Sequence, residues 1–174
     1  MPTAVNRFIP ARLIEEAVDA VISLLRSGFN NALVAVRREY DNDCLKINLE
    51  PVPDNKWYDT EIVEPLQPPV GFVLADSSEH DLTAQNTAAQ THRMVCVMLV
   101  EDIESARLNR KAWRYGLAAW YALHDMAIED IKVLVPSIDY SPIYTRRGAG
   151  AAGGERMFRK DVSLSLAVEH YERF

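Results

Sequence analysis

The chain has 174 residues, of which 48% are hydrophobic and 25% charged. That is enough for one domain with a sizeable core, too little for two, and too apolar for wholesale disorder. A formal net charge of −6 argues against nonspecific attraction to nucleic acid or anionic membrane, while leaving room for a local basic patch.

No apolar run approaches the ~20 residues that span a bilayer, and MPTAVNRFIPAR has no signal-peptide core, so a soluble, intracellularly made protein is expected. Cys44 and Cys96 lie in different segments without metal or redox spacing. Free cytosolic thiols are the expectation, with a disulfide as the alternative.

After Pro10, residues Leu13, Ile14, Ala17, Val18, Val21, Ile22 and Leu25 recur at helical spacing, and Gly28 reads as the stop. Leu33, Val36 and Tyr40 then mark a shorter second helix capped by Asn30 or Asn31, although VAV at 34–36 also fits a strand. Residues 41–69 hold five prolines and no period, and read as a long irregular connection. Val70–Leu74 follows as a short strand. The polar stretch SSEHDLTAQNTAAQ (77–90) reads as a mobile hairpin tip.

MVCVMLV (94–100) has the length and valine content of a strand buried on both faces. A helix over about Ile103–Met126 comes next. Between Ala112 and Leu123 its one charge is Arg114, so it reads as apolar nearly all round. Such a helix must be covered on more than the side a sheet can reach, either by the N-terminal helices or by a neighbouring subunit. Ile131 to Tyr144, interrupted by Pro136 and Pro142, predicts an irregular or peripheral strand. In KDVSLSLAVEHY, Val162, Leu164, Leu166 and Val168 alternate with Ser163, Ser165 and Glu169, which defines a strand with one buried face. The order predicts a single α+β domain over 1–174: a mainly antiparallel sheet of about four strands, packed against a long apolar helix and N-terminal helices.

Gly148-Ala-Gly150-Ala-Ala-Gly153 spells G-x-G-x-x-G. A dinucleotide site also needs a strand before it, a helix after it to receive the pyrophosphate, and an acidic residue about twenty positions on. Here the alternating strand follows instead, and Gly154-Glu155 stands where a phosphate-binding loop has Lys-Ser/Thr. The motif reads as a loop (146–156), and no cofactor is expected. Arg146, Arg147, Arg156, Arg159 and Lys160 flank it. They are either a contact for an acidic partner or phosphate, or solvated charges that keep a hairpin tip soluble.

Asp41-Asn42-Asp43 lacks the later ligand and the glycine of a calcium loop, and reads as a helix-ending turn. His80, His92, His124 and His170 stand apart without ligand spacing, so no metal is expected. His124 closes the apolar helix and is expected to hydrogen-bond there. Asp54 and Asp130-Ile131-Lys132 give at most a weak nuclease-like pattern, and no nucleophile–base set is recognisable. No catalytic residue is assigned. Trp113 and Trp120, seven apart, share a helix face with Leu117 and Tyr121 beside them. Core packing is the default for these four, and a subunit interface the sharper reading, since Trp and Tyr are enriched at interfaces.

Taken together, an amphipathic N-terminal helix (Arg12–Arg26), a proline-rich approach to a strand (QPPVGFVLA), a strand running into a helix (HRMVCVMLVEDIESARLNRKAWRYGLAAWYAL) and a last strand (RMFRKDVSLSLAVEHYERF) form a pattern. It resembles the tail-terminator and tail-completion proteins of tailed bacteriophages over most of the chain, in order rather than in invariant residues. The resemblance implies a ring, usually of six copies, seated on the tail tube in the virion after assembly in the host cytoplasm. Its partners would be the tail tube protein and sheath or neck proteins, with genome DNA passing through unbound, and no membrane, cofactor or enzymatic step. Another neck or connector adaptor, and a small nuclease-like enzyme using the basic loop, remain the alternatives.

Overall fold

The computed structural model describes residues 14–41, 45–60, 67–84, 87–146 and 157–173. Helix α1 (Ile14–Glu39) carries Glu15 and Glu16 in its first turn and Arg37 and Arg38 in its last, each sign at the helix end whose dipole favours it. It is one helix of 26 residues, not the two expected. Gly28 does not stop it. A helical glycine costs ~1 kcal/mol relative to alanine, whereas burying a side chain such as Phe29 or Leu33 contributes ~1.5–3 kcal/mol. Phe29, Leu33 and Val36 are all buried, so tertiary burial outweighs the local break.

The segment after α1 is less free than its prolines imply. Leu49, Val52 and Trp57 are buried, and polar groups of α1 hold the backbone between them. Arg37 donates to the Leu49 carbonyl. Asn30 donates to the Val52 carbonyl and accepts from its N–H, both at 3.0 Å. Arg26 donates to the carbonyls of Asp54 (3.0 Å) and Trp57 (3.3 Å). A 3-10 turn at Asp54–Lys56 then leads into the two-residue strand β1 (Trp57–Tyr58).

Strands β2 (Val70–Ala84) and β3 (Thr87–Asp102) form a long antiparallel hairpin. Residues 77–84 and 87–90 are thus strand, where a mobile tip was expected. Pairing decides this: β3 is bonded on its other side to the last strand, β7 (Met157–Arg173), from Asp102↔Phe158 down to Thr87↔Arg173. Polar cross-strand pairs such as Arg93–Glu79 (2.9 and 3.2 Å) suit that solvated part of the hairpin. Helix α2 (Ser105–Leu123) follows β3, and then β4 (Met126–Ile128), β5 (Ile131–Tyr140) and β6 (Tyr144–Arg146) complete the sheet.

The order is β1-β2-β3-β7-β5-β4, with β6 also paired to β7. Every pairing is antiparallel except β1 with β2. The α+β class and antiparallel sheet stand as expected. Among the described residues the sheet has seven strands rather than about four, because β1, β4 and β6 are two or three residues long and too short to leave a period. The expected irregularity of the 131–144 region is a register shift between Leu134 and Ser137, at Pro136. The Val135 N–H, turned out of the ladder there, donates to His124 Nδ1 (3.2 Å). A bulge beside an edge is where a sheet tolerates proline.

Val162, Leu164, Leu166 and Val168 of β7 and Met94, Cys96, Met98 and Val100 of β3 line the face that packs against the helices. α1 in turn packs along α2, where Ala112, Ala118, Ala119 and Ala122 are buried and keep the two axes close.

Candidate functional site

α2 sets the geometry of the candidate site. The Asp102 carboxylate accepts the Glu104 N–H (3.0 Å) ahead of the first turn, and Arg107 bridges Asp102 (3.3 Å) and Glu104 (3.1 Å). At the other end His124 closes the helix as expected, its N–H donating to the Trp120 carbonyl and its ring stacked on Trp120 at 4.5 Å.

The helix is not apolar all round. One side, with Leu108, Ala112, Tyr115, Ala119 and Leu123, is buried against α1 and the sheet. Tyr115 reaches through the core to donate to the Glu50 carbonyl, and burial pushes its phenol well above the usual range. Lys111 and Arg114 are buried too, yet each ends on an acceptor. Lys111 donates to the Glu101 carbonyl (2.9 Å), while Arg114 lies 5.5 Å from the Tyr40 ring centroid and reaches the Tyr40 carbonyl at 3.5 Å. Long basic side chains bury their stems and keep their heads paired. The second layer that the sequence demanded over α2 is α1 of the same chain.

The opposite side carries the four residues singled out in the sequence. Trp113 is 52% exposed and Tyr121 45% exposed, with Leu117 and Trp120 half-buried. Trp120 meets Tyr121 edge-on at 5.6 Å. Trp113 and Leu117 line a pocket of about 230 Å3 together with Tyr40, Arg110 and Arg114. Tyr121 lies on a second, larger groove of about 470 Å3 along the α1–α2 seam, with Gly28, Ala32, Ala35 and Met126. Single exposed aromatics are common on protein surfaces; here two, Trp113 and Tyr121, lie on one flank of α2. Its basic members, Arg110 and Arg114, escaped the sequence reading. The signal was available, because Arg110, Trp113, Arg114 and Leu117 are spaced i, i+3, i+4, i+7, but Tyr40 comes from the turn after α1.

The basic loop group separates. Arg147 and Arg156 lie outside the described residues, as does the side chain of Arg146, which ends β6. Arg159 donates to the Glu101 carboxylate (Nε–Oε1 2.7 Å) with a largely buried side chain, and Lys160 is 8% exposed. These two are held within the sheet rather than at the loop tip. The glycine run falls between β6 and β7, which pair with each other through Arg146↔Met157, and the element after it is a strand.

Among the described residues no group of three or more His, Cys, Asp or Glu could hold a metal ion. Of the Asp41-Asn42-Asp43 motif, only Asp41 is described, in the turn after α1. Asp54 lies beside β1 and Asp130 in the β4–β5 turn, at opposite edges of the sheet. His92 Nδ1 meets Ser78 Oγ at 2.7 Å, and His170 Nδ1 lies 3.0 Å from Asp130. Cys96 is buried and free, and desolvation pushes its thiol up to about 12. Cys44 lies outside the described residues.

No protein-family model matches the sequence, and no curated protein matches it. Among solved structures, the chain is similar to one described as "Virion of native gene transfer agent (GTA) particle", at 17% identity and a TM-score of 0.34. The alignment covers 86% of this chain and 98% of that one. A TM-score of this size is too low to carry fold or role across. Among the described residues no helix is long and apolar enough to cross a membrane.

Proposed function

We propose that this chain is a structural protein of a tailed-phage virion: a tail terminator that assembles into a ring on the end of the tail tube. The ring, six copies by the family resemblance, stops tube growth and offers a surface to the neck. It works by contact rather than by chemistry. One observation carries the reading: along the stripe of Trp113, Leu117, Trp120 and Tyr121, Trp113 and Tyr121 stay exposed and Leu117 and Trp120 only half-buried, on a helix whose inner side is already filled by α1 and the sheet. Exposed aromatics held on a rigid helix are suited to burial against another protein, since they bring large contact area at little entropic cost.

A closed ring requires a heterologous contact that repeats around an axis. The acidic chain would line or flank a DNA passage without adhering to phosphate. Arg146, Arg147 and Arg156 serve in this reading as a basic contact for the tube or neck. Native mass measurement, followed by electron microscopy with purified tail tubes, tests it. The expected result is a ring seated on tube ends. A chain that stays monomeric and leaves tubes undecorated overturns the reading, and density elsewhere in the neck replaces the terminator with a connector. Assembly and tube binding unchanged after neutralising the three arginines would remove the loop from the contact.

A further inference from the structure

The middle of α2 and the hairpin beyond it differ in charge and shape. On its middle turns is the pocket already described, with apolar walls from Tyr40, Trp113 and Leu117 and with the exposed Arg110 and the mostly buried Arg114 in its lining. Just beyond its C-terminus the chain enters a tight edge hairpin, in which β4 pairs with β5 through Met126↔Val133 and Ile128↔Ile131 around a two-residue turn, Glu129-Asp130. That hairpin exposes Glu129 and Asp130 at its turn, with Asp130 3.0 Å from His170 and Asp125 paired to Lys132 at 2.7 Å, and at its base, on the rim of the α1–α2 groove, the side chain of Met126 is 41% exposed. Asp125, between α2 and β4, and Glu129, in the turn, take left-handed backbone conformations (φ 60° and 53°).

We propose that the α2 pocket receives the β4–β5 turn of a second copy of this chain, with Met126 filling the apolar part beside Trp113 and the acidic turn facing Arg110 and Arg114. Complementarity on three counts selects this occupant. A hairpin knob whose three carboxylates (Asp125, Glu129, Asp130) outnumber its one lysine (Lys132) meets a pocket that carries Arg110 and Arg114. A flexible thioether is the side chain best able to fill an irregular aromatic-lined recess, with favourable sulfur–ring contact. Finally, the pocket sits on the middle of α2 and the knob lies beyond its C-terminus, with about 15 Å of helix from Trp113 to Leu123, and no residue of the chain's own hairpin is among the pocket's lining. Each copy offers one knob and one pocket, which makes the contact head-to-tail and able to close into a ring. The inference rests on the ring-forming reading and names the contact that would build it.

Its test uses the full chain and two exposed charge reversals, Arg110→Glu and Glu129→Arg, each followed by sedimentation and native mass over a concentration series. Each variant alone is expected to self-associate about tenfold or more weakly than the unaltered chain, the scale of a lost interfacial charge pair. Mixed one to one, the two variants restore assembly, because each pocket then meets a knob of opposite sign. Met126→Ala weakens association without changing its salt dependence. If either charge variant assembles like the unaltered chain, or if the mixture fails to recover, the inference is overturned while a ring built on other surfaces still stands. Association that stops at a dimer overturns the head-to-tail geometry. An unaltered chain that is monomeric in solution and on tail tubes overturns the ring reading together with this contact.

Discussion

A single methyl group added at Gly71 tests how β1 is joined to the core. Trp57 and Gly71 are register partners on the parallel β1–β2 pair, and a Cβ at Gly71 would lie 2.1 and 2.3 Å from two ring carbons of Trp57. No real Cβ tolerates that approach, so the indole must move. Trp57 is itself buried and packs edge-on against Phe29 at 5.2 Å. Two costs bracket the outcome. Shifting the ring within a packed site costs ~1–3 kcal/mol, and expelling it altogether costs about what deleting a buried aromatic does, ~3–5 kcal/mol. β1 is only two residues long and can yield, which favours the lower bracket, so Gly71→Ala should destabilise by about 2 kcal/mol. Urea unfolding at one fixed protein concentration measures this as a lowered midpoint with little change in slope. The decisive arm repeats the substitution in a Trp57→Ala background, where the methyl group has room. If Gly71→Ala costs as much there as in the unaltered chain, steric conflict with the indole is not the cause.

Gly28→Ala should act in the opposite direction. A Cβ there meets Ala122 at an ordinary 3.6 Å, so the ~1 kcal/mol helix-propensity gain survives as a raised unfolding midpoint. Phe29→Ala should cost ~3–5 kcal/mol, read in the same assay, since the ring is buried between Trp57 and Tyr115. In a Cys44→Ser background, Cys96 should resist thiol reagents at pH 8 until the protein is unfolded, whereas rapid native labelling would contradict its burial. Its raised thiol pKa also has a stability sign. Above pH 9 the unfolded chain loses a proton that the folded chain keeps to about pH 12, so stability falls with pH across that window. The slope approaches ~1.4 kcal/mol per pH unit. Cys96→Ala should lack that component of the slope, and an identical pH profile would refute it.

The candidate site was half legible in the sequence. Trp113, Leu117, Trp120 and Tyr121 could be placed together because helical spacing is a local property. Their partition between an open pocket and the α1–α2 seam could not, because it depends on where Gly28 of α1 and Tyr40 in the turn after it come to lie. Arg159 and Lys160 looked like loop cations by proximity to the glycines. Pairing with β3 put Arg159 against Glu101, fifty-eight residues earlier in the chain, and drew Lys160 into the sheet.

What the sequence by itself determined is whatever one element's own period records: the serine–aliphatic alternation of β7, the buried stripe of α1, the proline-marked bulge of β5, and the histidine that ends α2. What only the tertiary structure decided is whatever needed a partner strand or helix to outweigh a local preference. Gly28 breaks a helix in isolation, but not when Phe29, Leu33 and Val36 can be buried on α2 and the sheet. Residues 77–84 and 87–90 have no apolar period of their own, yet they are strand because β3 finds β2 on one side and β7 on the other. Backbone hydrogen bonds between strands carry no side-chain signature, and burial is shared between elements, so neither is written in any one segment.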